Sequence, residues 1–342
     1  MKIAIDAMGG DFAPKNEVMG AVAAVKNDSQ VEVVLVGDEQ TLKAELALHG
    51  SPKRITIVDA KDRISMNEQP TQAIKKSTSS LMVAIQLLNN GQVDALVSAG
   101  NTGAVLAASI FKVGRIKNVD RPAIVAVFPT MKKPIVALDL GANVDCKTKH
   151  LVQFAKMGSV YAQHRFGIER PEVRLLNIGE EEHKGNELTT ETYKLLKEDK
   201  TINFVGNLEP SHLLAGYTDV VVCDGFVGNI VLKLGEGFIS TIFKMIKGTI
   251  KRSLMAMFGA IFMLPALRKI RKKFDYDEFG GTLLLGVKKP VIKAHGSASP
   301  KAFKNAIREA AIMVREQIVE DIAKILSENS AEQGATKENG TK

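Results

Sequence analysis

The stretch "DALVSAGNTGAVLAASIFKV" (94–113) contains the repeating unit that decides the fold of this chain. Its first part, "DALV" (94–97), is a short apolar run of the kind that forms a buried strand. The small residues of "SAGNTGA" (98–104) then make a turn, and the apolar remainder has the spacing of a helix. The stretch therefore predicts a strand, a tight turn and a helix in succession.

Similar apolar, β-branched runs recur along the chain, and helical patterns lie between many of them. The runs occupy residues 2–6, 31–38, 54–60, 94–100, 123–128, 134–143, 173–179, 202–207 and 219–225. Because their apolarity is continuous rather than alternating, they are typical of strands buried on both faces of a parallel sheet. We predict a doubly wound α/β fold with a mostly parallel sheet and helices on both faces.

One α/β catalytic domain is predicted over residues 1–330. Its last helical pattern starts at Ser299, a favourable N-cap, with Pro300 at the first helical position. Residues 331–342 are polar, and we expect them to form a disordered tail.

Composition argues against a nucleic-acid partner. Aromatic residues make up 5% of the chain and Trp is absent, so a stacking platform for single strands is not indicated. The net charge of +8 has a local origin, since residues 237–274 contain nine Lys or Arg and no acid. The rest of the chain is close to neutral, at about −1.

The sequence also indicates a cytoplasmic protein without cofactors. Its start, "MKIAIDAMGGD", has no basic segment followed by an apolar one, so no signal peptide is predicted. Cys146 and Cys223 are too few and too far apart for a disulfide framework or a zinc site. Neither of the common nucleotide-binding glycine motifs occurs at the predicted turns, so no nucleotide is expected. The sequence shows no metal-binding cluster, so no metal is expected either.

The turn "SAGNTGA" (98–104) is a candidate phosphate site. Small residues, backbone N–H groups and the positive end of a helix dipole together favour an anion. Ser98, Asn101, Thr102 and Gly103 are therefore predicted to bind phosphate. The alternative is a tight strand–helix turn that simply needs glycine.

The stretch "DGFVGNIVLK" (224–233) has the same design. Asp224 ends a strand, Gly228 permits a close backbone approach, and Asn229 lies near the start of a helix. An uncharged amide in that place can donate to a developing oxyanion. The alternative for a lone Asn is N-capping.

Three further turns supply candidate polar residues. Lys184 lies between two glycines in "GEEEHKG" (179–185), Asn143 follows a strand in "DLGANVD", and His295 lies in "KAHGSAS". Taken alone, the first is better explained as a charged loop exposed to solvent, and a lone histidine is more often structural than catalytic. Cys223 is most simply a small core residue.

Taken together, these strings resemble the bacterial acyl-carrier-protein:phosphate acyltransferases of phospholipid synthesis, the PlsX family. The strings are "DAMGGDFAP", "SAGNTGA", "LDLGANVD", "NIGEEEHKG", "FVGNLE", "VVCDGFVGN" and "AHGSAS", and the resemblance extends from Met1 to about Leu326. It implies a dimer with a fold like those of phosphotransacetylases and isocitrate dehydrogenase. It also implies that an acyl group passes from acyl carrier protein to phosphate, and that a membrane acyltransferase then transfers it to glycerol 3-phosphate.

For such a reaction we expect phosphate to attack the thioester directly. The "SAGNTGA" turn and Lys184 would hold the phosphate, and Asn229 would stabilise the tetrahedral intermediate. Asp224, Asn143 and His295 are candidates for orienting the reactants. Holding both reactants in register contributes about 7–11 kcal/mol to such catalysis.

Residues 240–275 are predicted to form an amphipathic protrusion that contacts an anionic membrane. Fourteen uncharged residues run from Leu254 to Leu267, which is shorter than a membrane span, and basic residues flank them. Apolar insertion between cations is typical of an interfacial anchor. The expected contacts are Leu254, Phe258, Phe262, Arg268, Arg271 and Lys272. A core or dimer-interface hairpin is the alternative, and the cations could also receive the acidic carrier protein.

Other functions remain open from the sequence. A phosphotransacetylase that uses acyl-coenzyme A would need the same turns, although it would not need an anchor. A non-catalytic membrane scaffold would not need so many Gly and Asn residues at strand ends. A metal- and NAD-dependent dehydrogenase, suggested by the related folds, would need a clear acidic metal cluster.

Overall fold

A computed structural model describes residues 1–252, 254–274 and 276–327 of the 342-residue chain. Its strands are β1 (Lys2–Asp6), β2 (Glu32–Gly37), β3 (Ile55–Asp59), β4 (Ala95–Ser98), β5 (Ala123–Phe128), β6 (Ile135–Leu138), β7 (Glu172–Leu176), β8 (Asn203–Leu208), β9 (Val220–Val222), β10 (Thr282–Leu285) and β11 (Val291–Lys293). The α-helices are α1 (Lys15–Asn27), α2 (Glu39–Ala47), α3 (Pro70–Ala73), α4 (Ser80–Asn89), α5 (Thr102–Ala108), α6 (Thr148–Phe166), α7 (Glu187–Glu198), α8 (Gly225–Lys251), α9 (Leu254–Lys273), α10 (Pro300–Arg315) and α11 (318–327).

All of these strands form one sheet, in the order β3-β2-β1-β4-β11-β10-β5-β6-β9-β7-β8. The five strands from β3 to β11 are parallel to one another, and so are the four from β6 to β8. Antiparallel pairings around β10 and β5 join the two groups, which therefore run in opposite directions. The predicted α/β fold with a mostly parallel sheet is confirmed.

The opposite strand directions place the carboxyl ends of the two groups at opposite edges of the sheet. Loops at the carboxyl ends of parallel strands carry binding residues in open α/β sheets. Here the carboxyl ends of β1, β4 and β11 lie at one edge, which we call the α5 edge. Those of β6, β7 and β9 lie at the opposite edge, which we call the α8 edge.

Apolar side chains cover both faces of the sheet. In β1, Ile3 and Ile5 join the core cluster under α1, α6 and α10, while Ala4 between them joins the cluster under α4 and α5. This alternation follows from the two-residue period of a strand. A third cluster lies beneath the start of α8, where Val231 and Leu232 pack. Helices therefore lie on both faces, as predicted.

Helices α8 and α9 form the predicted protrusion. Beyond Gly228, α8 has no fully buried residue among those described, although much of its surface is apolar. Among the described helices, α8 is long and apolar enough to cross a membrane by length and composition alone. Helix α9 has Pro265 in its interior, and its side chains are largely exposed. The predicted tail, 331–342, lies outside the described residues.

Candidate functional site

At the α5 edge, a buried carboxylate organises the predicted phosphate turn. Ser98 Oγ donates to Asp6 Oδ2 over 2.7 Å and accepts a hydrogen bond from the Gly100 N–H over 3.0 Å. Ser80 Oγ donates to the other Asp6 oxygen over 2.6 Å. Burial raises the pKa of Asp6, and the two serine hydrogen bonds oppose that rise. The Ser98 hydroxyl is therefore part of the framework of the turn.

The side chain of Asn101 is also used structurally. Its Oδ1 caps α5 by accepting from the Ala104 N–H over 3.0 Å. Its Nδ2 donates to the carbonyls of Met66 and Glu68, over 2.7 and 3.0 Å, and so ties the turn to the preceding loop. Asn101 is thus the N-cap of α5, and any contact of Asn101 with phosphate falls to its backbone.

Thr102 and Gly103 keep their hydrogen-bonding capacity free. Neither backbone N–H has an acceptor within residues 1–252, 254–274 and 276–327, and the Thr102 side chain is exposed. A Cβ added at Gly103 would lie 2.5 Å from Pro70 Cγ, so α3 requires glycine there for packing. Two free N–H groups at the start of a helix suit an anion.

Three more groups lie beside this turn. His295 is exposed at the end of β11 and shares a 2.8 Å hydrogen bond between its Nδ1 and Ser297 Oγ. Lys293 is the strand neighbour of Ser98, and burial lowers the pKa of its ammonium to about 8. Glu17 is fully buried, neither of its oxygens has a hydrogen-bond partner among the described residues, and burial raises its pKa to about 7.

At the α8 edge, Asp139 has the organising role. Its carboxylate accepts from the N–H of Ala142 and of Asn143, over 3.1 and 2.7 Å, and from Asn143 Nδ2 over 2.8 Å. The Asn143 amide also donates to the Pro122 carbonyl over 2.7 Å. Asn143 is buried and its amide holds the loop, and its role in orienting the reactants stays a prediction.

The start of α8 packs tightly against this loop. Asp224 caps the helix by accepting from the N–H groups of Phe226 and Val227, over 3.0 and 2.9 Å. A Cβ added at Gly225 would lie 2.6 Å from the Asn143 carbonyl oxygen. Gly228 has still less space, because its Cβ would overlap the carbonyl oxygen of Asp139. Asp224 and Gly228 thus place the helix, as a close backbone approach requires.

Lys184 and Asn229 are the predicted α8-edge residues with unengaged polar ends. Lys184 follows β7, Asn229 lies in the first turn of α8 after β9, and these two strands are adjacent. Neither the Lys184 ammonium nor the Asn229 amide has a partner in the described part of the chain. Asn229 packs against the backbone of the 139–143 loop at Gly141. A cation and a free amide donor are what a phosphate and a developing oxyanion require.

Within one chain the two edges remain apart. Five strands separate β4 from β7, which corresponds to roughly 29 Å across the sheet at about 4.8 Å per strand. The structure therefore brings Ser98, Asn101, Thr102, Gly103 and His295 together at the α5 edge. It groups Asn143, Lys184, Asp224, Gly228 and Asn229 at the α8 edge. Lys184 does not reach the "SAGNTGA" turn of its own chain.

Of the predicted membrane contacts, four have described side chains. Phe258 and Phe262 are 70% and 87% exposed, and Arg268 and Lys272 are also exposed. The side chains of Leu254 and Arg271 lie outside the described part of the structure. Cys223 is buried, which raises the pKa of its thiol and fits the core role expected for it.

Comparison with known proteins identifies the family. Residues 1–321 match the model of a family described as fatty acid synthesis protein. A phosphate acyltransferase from Clostridium perfringens strain SM101 is 51% identical over 312 residues, covering 91% of this chain and 92% of the relative. The chain belongs to this family. A phosphate acyltransferase from Brevibacillus brevis is 48% identical over 332 residues, covering 96% of this chain and 98% of the relative.

Solved structures of low sequence identity share the fold. A phosphotransacetylase from Streptococcus pyogenes has a TM-score of 0.63 at 17% identity, covering 92% of this chain and 94% of its own. A branched-chain phosphotransacylase from Enterococcus faecalis has a TM-score of 0.58 at 15% identity, covering 92% and 99%. The family resemblance and the phosphotransacetylase-like fold expected from the sequence are both confirmed.

Sequence reasoning missed the buried charges behind the two edges. Asp6 ends one predicted strand and Asp139 lies within another, but the hydrogen bonds of Asp6 join segments far apart in sequence and those of Asp139 depend on the fold of its own loop. Lys293 belongs to a three-residue strand that no apolar run marks. Glu17 lies in α1 and shows no signal in the sequence alone.

Proposed function

We propose that this protein transfers a long acyl group from acyl carrier protein to inorganic phosphate and so forms an acyl phosphate. Family membership supports acyl transfer to phosphate in general. The observation that carries the finer proposal is that two polar groups without a partner among the described residues, Lys184 in the loop after β7 and Asn229 near the start of the exposed apolar helix α8, follow adjacent strands. Two polar groups beside an apolar helix can bind the charged acceptor, phosphate, together with the apolar acyl donor.

The chemistry needs no covalent enzyme intermediate. An oxygen of hydrogen phosphate attacks the thioester carbonyl, the C–O bond forms, and the C–S bond breaks. The carrier thiol leaves with the proton that the phosphate brought. Asn229 would donate to the oxyanion of the tetrahedral intermediate, and removal of one such donor typically costs about 3–4 kcal/mol of activation free energy. The free N–H groups of Thr102 and Gly103 would bind the phosphate.

The proposed homodimer accounts for the distance between the two edges. The α5 edge and the α8 edge cannot meet within one chain, because the strands between them form one continuous sheet. Close-packed helices cover both faces of that sheet and prevent it from bending. A second copy can present its α8 edge to the α5 edge of the first. In this arrangement Thr102 and Gly103 of one protomer share a site with Lys184 and Asn229 from the other.

The α8–α9 protrusion would serve the membrane. Phe258 and Phe262 supply exposed apolar area, and Arg268 and Lys272 supply cations for an anionic leaflet, each worth about 1 kcal/mol near the surface. A cytoplasmic, peripherally bound enzyme in this position could pass its acyl phosphate to a membrane-embedded glycerol-3-phosphate acyltransferase. The same cations suit the acidic surface of acyl carrier protein.

The decisive assay incubates the protein with palmitoyl-acyl-carrier protein and phosphate and measures acyl phosphate. We expect the product only when phosphate is present. Loss of the thioester without phosphate would indicate a hydrolase and overturn the proposal. A parallel reaction with palmitoyl-coenzyme A tests the donor, and faster turnover of that substrate would favour the phosphotransacetylase alternative.

A further inference from the structure

The Ser98 hydroxyl is already committed to the protein. A hydroxyl has one proton to donate, and that of Ser98 goes to Asp6 Oδ2 over 2.7 Å. Its oxygen accepts from the Gly100 N–H over 3.0 Å. Ser98 thus links a buried carboxylate on β1 to the backbone of the turn after β4, and it does not have a proton free for a ligand.

The position of Asp6 in the sheet allows its hydrogen bond with Ser98. It ends β1 in register with Ser98 at the end of β4, and both side chains are buried. Its second oxygen accepts from Ser80 Oγ over 2.6 Å, so both oxygens are held. The two turns also touch closely, because a Cβ added at Gly9 would lie 2.8 Å from the Gly100 nitrogen.

A buried carboxylate needs a compensating charge. Lys293 lies in register with Ser98 on the other side of β4, and it lines a small cavity with Thr102 and Thr282. Its positive charge lowers the pKa of Asp6 and so opposes the effect of burial. The turn therefore has a buried acid and a half-buried cation behind it. That pair is far more than a tight turn requires, since glycine alone would satisfy the backbone.

We propose that Asp6 is a positioning residue for phosphate, acting through Ser98 on the Gly100 N–H. This inference rests on the proposed function, which assigns phosphate to the same turn. By fixing Gly100, the Asp6–Ser98 link sets the direction of the chain into Thr102 and Gly103, whose N–H groups are free. Charge-assisted hydrogen bonds of this kind are stronger than neutral ones and hold geometry well.

Ser80 and Ser98 provide a matched pair of variants. Each donates one hydrogen bond to the same carboxylate and each is buried, but only Ser98 contacts the turn. We expect Ser98→Ala to raise the KM for phosphate about tenfold more than Ser80→Ala does, with the KM for acyl carrier protein unchanged. Ser98→Thr, which keeps the hydroxyl, should restore most of the affinity. Asp6→Asn should resemble Ser98→Ala, and the double variant should be little worse than either one.

The wild-type assay separates failure of this inference from failure of the proposed function. If the wild type forms no acyl phosphate, the proposed function is wrong. If it does, but Ser80→Ala and Ser98→Ala raise the phosphate KM equally, the positioning role is wrong. Thermal unfolding checks folding, and if Ser98→Ala does not fold, the comparison of Asp6→Asn with Ser98→Thr decides. Equal phosphate KM values for those two variants would also overturn the inference.

Discussion

Gly228 packs so closely on Asp139 that a methyl group on the glycine would overlap the Asp139 carbonyl oxygen. This approach seats the first turn of α8 on the loop after β6 and so places Asn229 at the α8 edge. The relationship can be tested by substitution at two glycines of the same helix.

Gly228→Ala should lower the free energy of unfolding by about 2 kcal/mol or more, as overpacking does. Gly235→Ala is the matched control, because a Cβ at Gly235 meets nothing within 4 Å. In a helix interior that change should be neutral or stabilising by about 0.5–1 kcal/mol. Urea unfolding measures the free energy of unfolding of both variants. Equal changes in that free energy would contradict the close packing at Gly228.

Lys184→Ala and Asn229→Ala should each lower turnover about 100-fold while the protein stays folded. The reason is that neither polar end has a partner among the described residues and that the two residues follow the adjacent strands β7 and β9. Lys233→Ala, at an exposed position in the second turn of α8, should change turnover little. Steady-state assays decide, and near-wild-type turnover in both site variants would remove these residues from the site.

Mixed dimers test whether the site is shared between two copies. Thr102→Asp places a negative charge where phosphate is proposed to bind, at a helix start that tolerates an acid. Lys184→Ala disables the other edge. Mixing the two inactive variants at equal amounts through unfolding and refolding should recover about a quarter of wild-type activity, because half of the dimers contain one intact site. No recovery would mean that both edges act within one chain or that only one is used.

Glu17→Gln should change how stability depends on pH. The pKa of Glu17 is raised from 4.5 to about 7 by burial, so the folded protein holds a proton that the unfolded chain releases. Stability should therefore fall as pH rises from about 4.5 to about 7, by up to roughly 3 kcal/mol from this group.

Glutamine cannot ionise, so the variant should lose this part of the slope and be more stable than the wild type above pH 7. Urea unfolding at pH 4.5 and pH 8 makes the comparison. An equal change in stability for both proteins between these pH values would contradict the assignment.

Phe258→Ser combined with Phe262→Ser should release the protein from anionic vesicles, since both side chains are highly exposed on α9. Turnover on soluble acyl carrier protein should be retained. Phe111→Ser, another exposed phenylalanine outside the protrusion, is the control and should leave binding unchanged. Flotation of the double variant with vesicles would contradict the anchor, and loss of folding would favour the buried-hairpin alternative.

The class of the fold was predictable because runs such as 31–38 and 219–225 are continuously apolar, which a strand buried on both faces requires. The direction of the strands could not be predicted from the sequence. An apolar run looks the same in either direction, and β10 and β11, of four and three residues, are too short to stand out. Since the direction of the sheet depends on how β10, β5 and β6 pair, the sequence could not show that Ser98 and Lys184 lie at opposite edges.

The site residues were predictable by type and less so by role. Gly228 and Asn229 were selected as candidate site residues because a glycine and an amide residue follow a predicted strand. The same signal also selected Asn101 and Asp224, whose side chains cap helices. Capping and ligand binding use the same short polar residues at the same helix ends, so only the contacts distinguish them.

Helix α8 carries Asn229 in its first turn and continues without a break to Lys251, a rod of about 40 Å at 1.5 Å per residue. The rod is seated at one end by the close contact of Gly228 with Asp139, and its side chains beyond that contact are exposed or half-buried. If the α8–α9 protrusion binds a bilayer as proposed, a tilt of α8 at the membrane would also move its seated end, so membrane binding would be coupled to the orientation of the Asn229 amide.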